Sequence, residues 1–293
     1  MSPAHRVAVS QWNPVLGRLG PNVDKLEARV GEAEESGASL LVTPELGLTG
    51  YLLQDLVPEM AMDRDDPRLD PVADLSRRVS LAAGFVERGP DGQCYNAVGY
   101  WREGRLVHVH RKIYLPTYGM FDEARFFAPG RSLDVVGTPA GPAALLACED
   151  LWHPAAVALA VQKGAAGLLV ASAAPGRGIA SGASELTSRG TWSDLLALYA
   201  RLLGLWTLWS NRNGFEDGIH FSGGSLIVQP DRGEALAEGD HFADGTWTAE
   251  LDPEAVGRVR EGSGTVREED LGMLGSAIGE ILRERVPEER GLS

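Results

Sequence analysis

The chain has 293 residues, of which 44% are hydrophobic and 23% are charged. This length and composition are ordinary for one large globular domain, and they exclude a chain that is disordered throughout. The formal net charge of -14 argues against a nucleic-acid partner and against docking on anionic membranes, because both need a basic surface. An anionic small-molecule substrate stays open, since a site can be locally positive.

The N-terminus and the cysteines indicate the compartment. Residues 1–6 lead directly into a strand-like run and lack the apolar region of a signal peptide. No apolar stretch reaches the roughly 20 residues that a membrane-spanning helix needs. Cys94 and Cys148 are too few and too widely spaced for a disulfide framework or a zinc finger. We therefore expect a cytoplasmic protein with reduced thiols.

Short apolar runs alternate with amphipathic segments through the first half of the chain. Apolar runs and period-two alternation predict strands over residues 7–12, 40–42, 81–86, 95–101, 105–110 and 143–147. Helical spacing predicts helices over residues 22–36 and 69–79. Glu103-Gly104 predicts a tight turn that pairs the strands on either side of it. The order strand, helix, strand at the start predicts a β-α-β opening.

The second half continues this alternation and ends in a polar segment. Helices are predicted over residues 154–163 and 184–203, and strands over residues 166–171, 205–210, 224–228 and 246–251. The loop 114–130 exceeds the usual connection length, and such loops are often functional. We expect one domain over residues 1–261. Residues 262–293, with an amphipathic stretch at 271–282, form its C-terminal arm or a mobile tail.

Cys148 lies where an apolar strand stops and a helix is about to begin. A thiol at the N-terminus of a helix feels the helix dipole, which predicts a lowered pKa. A free cysteine taken alone is more often a small buried hydrophobic residue. The acidic neighbours Glu149 and Asp150 favour the functional interpretation, because a structural strand rarely ends in two carboxylates. Cys94 lies within a predicted strand and keeps the structural interpretation.

Glu45 and Lys112 also follow predicted strands. Each has an ordinary explanation when it is taken alone, as a solvated loop carboxylate and as a solvated charge at a strand edge. Together with Cys148 they form a coherent set, because a cysteine nucleophile needs a base for its proton and a donor for the oxyanion. Three strand ends on one rim of a sheet would meet those needs without a histidine.

Three ordered blocks carry a resemblance to a known family. They are residues 41–46 around Glu45, residues 110–116 around Lys112 and residues 145–152 around Cys148. Their order and spacing resemble the signature blocks of the nitrilase (carbon–nitrogen hydrolase) superfamily, and Tyr95-Asn96-Ala97 is similar to a strand motif of that family. The likeness runs from about Val7 to Leu251. It implies a four-layer α-β-β-α sandwich.

A closer likeness is to the glutaminase domains of glutamine-dependent NAD synthetases. It is carried by residues 115–127, 148–152, 211–218 and 221–225. The resemblance implies that Glu45 is the general base, Lys112 the oxyanion stabiliser and Cys148 the nucleophile. Glu123 would be the accessory acid that orients the site. The residues that the resemblance places around the substrate are Tyr51, Tyr118, Phe121 and Glu149.

Two features depart from the glutaminase pattern. No glycine-rich phosphate loop is present in the sequence, so we expect no ATP-using domain in this chain. The glutaminase domains usually carry a Ser-Pro pair after the strand that follows the cysteine helix, and that serine helps to hold the amino-acid end of glutamine. Here the pair is Ala174-Pro175, which argues against glutamine as the substrate.

The resemblance implies a hydrolase that cleaves the C–N bond of a small amide through a cysteine thioester, with no metal or organic cofactor. None of the six histidines forms a zinc-like cluster. We expect a stand-alone amidase for a small ω-amide, a carbamoyl compound or a nitrile. Two alternatives stay open: a glutaminase that supplies ammonia to a separate synthetase partner, and a catalytically silent binding or scaffold protein. The family also implies a homo-oligomer.

Overall fold

The computed structural model describes residues 5–176, 187–231, 233 and 235–285. The strands are β1 (His5–Gln11), β2 (Leu40–Val42), β3 (Ser80–Arg88), β4 (Cys94–Arg102), β5 (Arg105–Arg111), β6 (Val135–Thr138), β7 (Gly141–Ala147), β8 (Gly167–Ser172), β9 (Trp206–Asn211), β10 (Asn213–Glu216), β11 (Ile219–Ser222), β12 (Leu226–Val228), β13 (Ala235–Glu238) and β14 (Gly245–Leu251). The helices are α1 (Leu19–Glu35), α2 (Val57–Met60), α3 (Asp70–Leu75), α4 (Pro154–Gln162), α5 (Thr187–Leu203), α6 (Ala255–Ser263) and α7 (Leu271–Arg285). None of these helices is both long and apolar enough to cross a bilayer, among the residues described.

Two six-stranded sheets form the inner layers. Their strand orders are β14-β1-β2-β3-β4-β5 and β13-β12-β9-β8-β7-β6, while β10 and β11 form a separate hairpin. Strands β1, β2 and β3 run parallel in the first sheet, as do β7, β8 and β9 in the second. The facing sides of the sheets share one buried apolar cluster, which includes Val9, Leu40, Val42, Leu145, Leu169 and Leu208. This cluster holds the two sheets together through apolar burial.

Helices cover the outer face of each sheet. Leu26 of α1 shares a buried cluster with Leu41 of β2, whose neighbours along the strand point to the other side. On the second sheet, Val157 of α4 and Leu196 of α5 share a cluster with Leu146 of β7. Helix, sheet, sheet and helix are therefore stacked in that order. The predicted four-layer α-β-β-α sandwich is confirmed.

Most elements lie where the sequence predicts them. The predicted turn falls at Glu103 and Gly104, whose φ angles of 54° and 81° are those of a tight hairpin turn. The helix predicted over residues 69–79 is shorter and ends at Leu75. Residues 184–186 of the predicted long helix lie outside the described residues, and the remainder is α5.

The sequence does not predict β6, β10, β11, β13, α2 or α6. The four strands have four residues each, which is the lower limit at which alternation indicates a strand. Helix α2 is equally short. Helix α6 has only nine residues and buries only Ala255, so its few apolar positions do not mark it as a helix in the sequence.

The carboxyl ends of β2, β5, β7 and β8 meet at one rim of the sandwich. Strand β5 runs in the same direction as β2, because β3 and β4 and then β4 and β5 pair antiparallel. A hydrogen bond from the Glu45 amide to the Ser172 carbonyl, 3.3 Å long, joins the rims of the two sheets. Residues that follow these strands are thereby brought together although they lie far apart in the chain.

Gly84 of β3 fixes the backbone turn that follows β2. A Cβ atom at Gly84 would lie 2.3 Å from the Leu46 nitrogen and 2.6 Å from the Pro44 oxygen, so only glycine allows this approach. The Leu48 amide donates to the Gly84 carbonyl at 3.1 Å. The turn that carries Glu45 therefore packs directly against the backbone of β3.

Candidate active site

Glu45 follows β2 and is 1% exposed. One carboxylate oxygen, Oε1, accepts hydrogen bonds from Lys112 Nζ at 2.7 Å and from Asn96 Nδ2 at 2.8 Å. The other, Oε2, accepts from the Ala173 amide at 2.9 Å. A buried carboxylate is stable only with such partners, because burial removes its hydration. The three donors leave Glu45 with one fixed orientation.

Lys112 follows β5 and is as deeply buried as Glu45. Its ammonium lies between the carboxylates of Glu45 and Glu123, with both Nζ–Oε1 distances at 2.7 Å. Burial disfavours the charge, but the carboxylates of Glu123 and Glu45 outweigh it and hold the pKa of Lys112 well above its ordinary value. The backbone is pinned as well, because the Lys112 amide donates to the Asn96 carbonyl at 2.8 Å. Lys112 is a fixed, permanently positive donor.

Glu123 begins a short 3₁₀ turn in the long loop. The Tyr51 hydroxyl and the Lys112 ammonium both donate to its Oε1 atom. Burial, with a smaller contribution from the Glu45 carboxylate, raises the pKa of Glu123 to about 7 against the pull of Lys112. Burial and the two nearby carboxylates also raise the pKa of Tyr51 well above its ordinary value, so Tyr51 keeps its proton and donates it.

Cys148 follows β7 directly. Its φ angle of 41° is left-handed, which is uncommon for a residue with a side chain. Burial raises the pKa of the thiol well above its ordinary range; the Glu45 carboxylate adds to the rise and the Lys112 ammonium opposes it. The prediction of a lowered pKa is therefore wrong. A five-residue 3₁₀ turn begins at the cysteine, and α4 begins only at Pro154, so desolvation prevails over any helix dipole.

Asp150 ties the cysteine segment to the lysine segment. Its Oδ1 atom accepts from the amides of Ile113 and Tyr114 at 2.9 and 3.0 Å. Its Oδ2 atom accepts from the Ala147 amide at 3.1 Å and lies 2.8 Å from His110 Nε2. Burial opposes the charge, but the His110 contact and these amides lower the pKa of Asp150 below its ordinary value. The carboxyl ends of β5 and β7, which belong to different sheets, are thus held together by Asp150.

The predicted substrate-binding residues form a path from the surface toward Glu123. The exposed Tyr118 donates from its hydroxyl to both carboxylate oxygens of Glu149, at 3.0 and 2.9 Å. The Phe121 ring packs edge-on against Tyr118 and against Tyr51, with centroid distances of 5.6 and 6.3 Å. A cavity of about 180 Å³ lies beside them and is lined in part by Tyr51, Phe121 and Glu123.

Sequence reasoning places Glu45, Lys112, Glu123 and Cys148 in one site, and the structure brings them together. The sequence assigns no role in the site to Asn96, Asp150 or Ser172. Asn96 Nδ2 donates to Glu45 at 2.8 Å and lies 3.4 Å from Glu123 Oε2, and the Tyr95-Asn96-Ala97 motif was the available signal. The Ser172 hydroxyl lies 3.3 Å from Cys148 Sγ, a contact across sheet neighbours that no local pattern reveals.

The arrangement supplies the parts of nucleophilic catalysis. A buried carboxylate can take a proton, a fixed ammonium can stabilise an oxyanion, and a thiol can attack carbon. Within the described part of the chain, no group of three or more histidine, cysteine, aspartate or glutamate side chains is arranged to hold a metal ion.

Known proteins are similar to this chain in sequence and in fold. A model of the carbon-nitrogen hydrolase family matches residues 6–261. The glutamine-dependent NAD(+) synthetase of Thermotoga maritima is 32% identical over 250 residues, which are 84% of this chain and 42% of that protein. The chain therefore spans less than half the length of this relative.

Solved structures agree with this result. The glutamine-dependent NAD+ synthetase of Acinetobacter baumannii superposes with a TM-score of 0.76 at 26% identity, covering 87% of this chain and 47% of that chain. A carbon-nitrogen hydrolase of Helicobacter pylori superposes with a TM-score of 0.82 at 23% identity, covering 94% of this chain and 99% of that chain. The second likeness concerns the fold alone.

The raised pKa of Glu123 predicts a pH-dependent contribution to stability. The folded protein holds this proton up to about pH 7, whereas an ordinary glutamate loses it near 4.5, so a rising pH destabilises the fold through this window. Glu123→Gln is expected to remove a slope of at most about 1.4 kcal/mol per pH unit from the unfolding free energy. Urea titrations between pH 4 and 8 measure it, with the exposed Glu27→Gln as control. Identical slopes for wild type and Glu123→Gln would contradict the prediction.

Proposed function

The chain belongs to the carbon-nitrogen hydrolase family, and on that basis we propose that it hydrolyses a small amide through a thioester on Cys148. The observation that carries the proposal is the buried Glu45–Lys112–Glu123 cluster, with both lysine contacts at 2.7 Å, beside a buried thiol. Burying three charged groups costs stability unless they are paired. A cluster of this kind next to a nucleophile supports a catalytic use.

Acylation begins from a neutral thiol, because burial keeps the Cys148 proton in place at rest. Glu45 takes this proton as the sulfur attacks the amide carbon and the C–S bond forms. The Lys112 ammonium and the backbone N–H of Glu149 stabilise the oxygen that becomes negative, and one such donor contributes typically about 3 kcal/mol. Glu45 then passes the proton to the departing nitrogen. Ammonia or an amine leaves, and the acyl group stays on the sulfur.

Deacylation uses the same residues, with water in place of the thiol as the nucleophile. Glu45 removes a proton from a water molecule, and the water oxygen attacks the thioester carbon. The C–S bond breaks, the acid is released, and the proton returns to the sulfur. Glu123 and Tyr51 act through Lys112, because the Tyr51–Glu123 pair holds the ammonium in place. Neither step uses a metal or an organic cofactor.

We favour a small amide over glutamine as the substrate. Ala174 is 3% exposed and stands where the resembling glutaminase domains carry a serine. Without that hydroxyl the amino-acid end of glutamine loses one hydrogen-bond partner. The competing candidate is a glutaminase that supplies ammonia to a separate synthetase. The 32% identity to an NAD(+) synthetase favours it.

Self-association is a further part of the proposal, with a second copy as the partner of α7. No residue of α7 is buried. Five of its six large exposed apolar side chains lie on one stripe, and Met273 lies off it. The five are Leu271, Leu274, Ile278, Ile281 and Leu282. Acidic residues precede the helix at positions 268–270, and Arg283 and Arg285 lie in its last turn. An antiparallel pair of α7 helices would set the acidic end of each copy against the basic end of the other.

Substitution of the nucleophile tests the chemistry. Cys148→Ala is expected to abolish ammonia release from amides and to leave the fold intact, because the change removes only the sulfur. Lys112→Met is expected to slow acylation about 100-fold or more, since it removes one oxyanion donor. Ammonia detection and stopped-flow acylation measure these effects, and Cys94→Ala is the matched control. Wild-type turnover by Cys148→Ala would refute the mechanism.

A substrate panel separates the two candidate functions. The wild type is expected to turn over small aliphatic amides with a higher kcat/KM than glutamine. Ala174→Ser is expected to raise kcat/KM for glutamine about tenfold and to leave a small amide unaffected, because the hydroxyl adds one hydrogen bond to a charged group. A wild type that prefers glutamine strongly would overturn the small-amide proposal in favour of the ammonia-supplying glutaminase.

Sedimentation velocity tests the role of α7. Ile278→Glu places a charge within the apolar stripe and is expected to convert the oligomer into monomers. Ser276→Glu adds the same charge to the opposite face of the helix and is expected to leave the oligomer intact. A monomeric wild type, or an Ile278→Glu variant that stays associated, would rule out pairing through α7.

A further inference from the structure

Ser172 ends β8 beside the reactive sulfur. Its side chain is fully buried, and its hydroxyl lies 3.3 Å from Cys148 Sγ, within hydrogen-bond range for sulfur. We propose that Ser172 is a positioning residue that donates this hydrogen bond to the sulfur and stabilises the negative charge that develops there during attack. The inference rests on the proposed function, because it takes Cys148 as the nucleophile.

The backbone around Ser172 fixes where the hydroxyl lies relative to the base. The Ser172 carbonyl accepts hydrogen bonds from the amides of Glu45 at 3.3 Å and Arg212 at 3.0 Å. The next amide, of Ala173, donates to Glu45 Oε2 at 2.9 Å. One two-residue segment therefore contacts both the sulfur and the carboxylate that receives its proton. The end of β8 therefore fixes the position of the Cys148 thiol relative to the Glu45 carboxylate.

The sulfur needs such a donor because its surroundings disfavour a thiolate. Burial and the Glu45 carboxylate raise the pKa of Cys148, while the Lys112 ammonium, the Ser172 hydrogen bond and the Ala173 amide act in the opposite direction. A hydrogen bond to a charged acceptor is stronger than one to a neutral acceptor. The Ser172 contact therefore strengthens as charge develops on sulfur, which lowers the barrier more than it stabilises the resting state.

The proton balance of the step stays simple. As the C–S bond forms, the thiol proton moves from Sγ to the Glu45 carboxylate, and the electron pair of the S–H bond remains on sulfur. Ser172 keeps its own proton throughout and only shares it with the sulfur. A hydroxyl that merely filled space would leave the reactivity of the thiol and its pH dependence unchanged when removed.

Alkylation of Cys148 by iodoacetamide tests this role without knowledge of the substrate. The second-order rate constant is measured between pH 6 and 10, with Cys148 modification followed by peptide mass spectrometry. Ser172→Ala is expected to lower the rate constant about tenfold and to move the profile about one unit to higher pH. The other titratable groups that act on the sulfur, Glu45, Lys112 and Tyr51, stay in place.

Ser210→Ala is the matched control. Ser210 lies on the neighbouring strand β9, is also fully buried, and donates its hydroxyl to the Ser10 carbonyl at 2.5 Å, away from Cys148. In the Ser210→Ala variant, Cys148 is expected to be alkylated at the wild-type rate. In a Cys148→Ala background, Ser172→Ala is expected to leave the dissociation constant of a small amide unchanged, because the hydroxyl acts on sulfur and not on substrate.

The outcomes separate the two proposals. A Ser172→Ala profile that superposes on that of the wild type, or an equal loss for Ser172→Ala and Ser210→Ala, would overturn the role of Ser172 alone. A weaker dissociation constant in the Cys148→Ala background would do the same, since the hydroxyl would then bind substrate. Amide turnover that persists at the wild-type rate in Cys148→Ala would instead overturn the proposed function.

Discussion

The ammonium of Lys112, buried between two carboxylates, is the interaction on which the rest of the site depends. Both contacts are 2.7 Å long and all three groups are almost fully removed from water. An isolated buried charge would be too costly to keep. Burial, with a smaller contribution from the Glu45 carboxylate, raises the pKa of Glu123, so this second acid tends to hold a proton. The cluster thereby keeps one carboxylate, Glu45, next to a neutral thiol.

The sandwich brings Glu45, Lys112 and Cys148 together at little conformational cost, while Glu123 comes from the long loop after β5. Parallel strands end at a common rim, so residues that directly follow β2, β5 and β7 meet there without long loops. Two local features refine the position of each group. Gly84 lets the Glu45 turn approach the sheet to within 2.3 Å of where a Cβ atom would lie, and Asp150 accepts from both the lysine and the cysteine segments. The same backbone hydrogen bonds therefore stabilise the fold and position the residues of the site.

The local pattern marks the principal residues for a physical reason, whereas the four-layer fold was implied by the resemblance to the nitrilase superfamily. Strand ends are marked by apolar runs that stop at a polar residue, and Glu45, Lys112 and Cys148 stand at such stops. Residues whose role depends on a contact across strands leave no such mark, which is why the contacts made by Asn96, Asp150 and Ser172 are visible only in the structure. The thiol pKa was predicted in the wrong direction because burial, which dominates it, is a property of the whole fold.

The central claim is that an acyl group is carried by the sulfur of Cys148. The most direct test is acid quenching of the protein during turnover of a mixture of small amides, followed by intact mass and peptide mass spectrometry. The account predicts a mass increase that equals one acyl group and maps to the peptide containing Cys148. An enzyme that turns over amides while its acyl group maps to another residue, or never becomes covalently attached under these conditions, would contradict it.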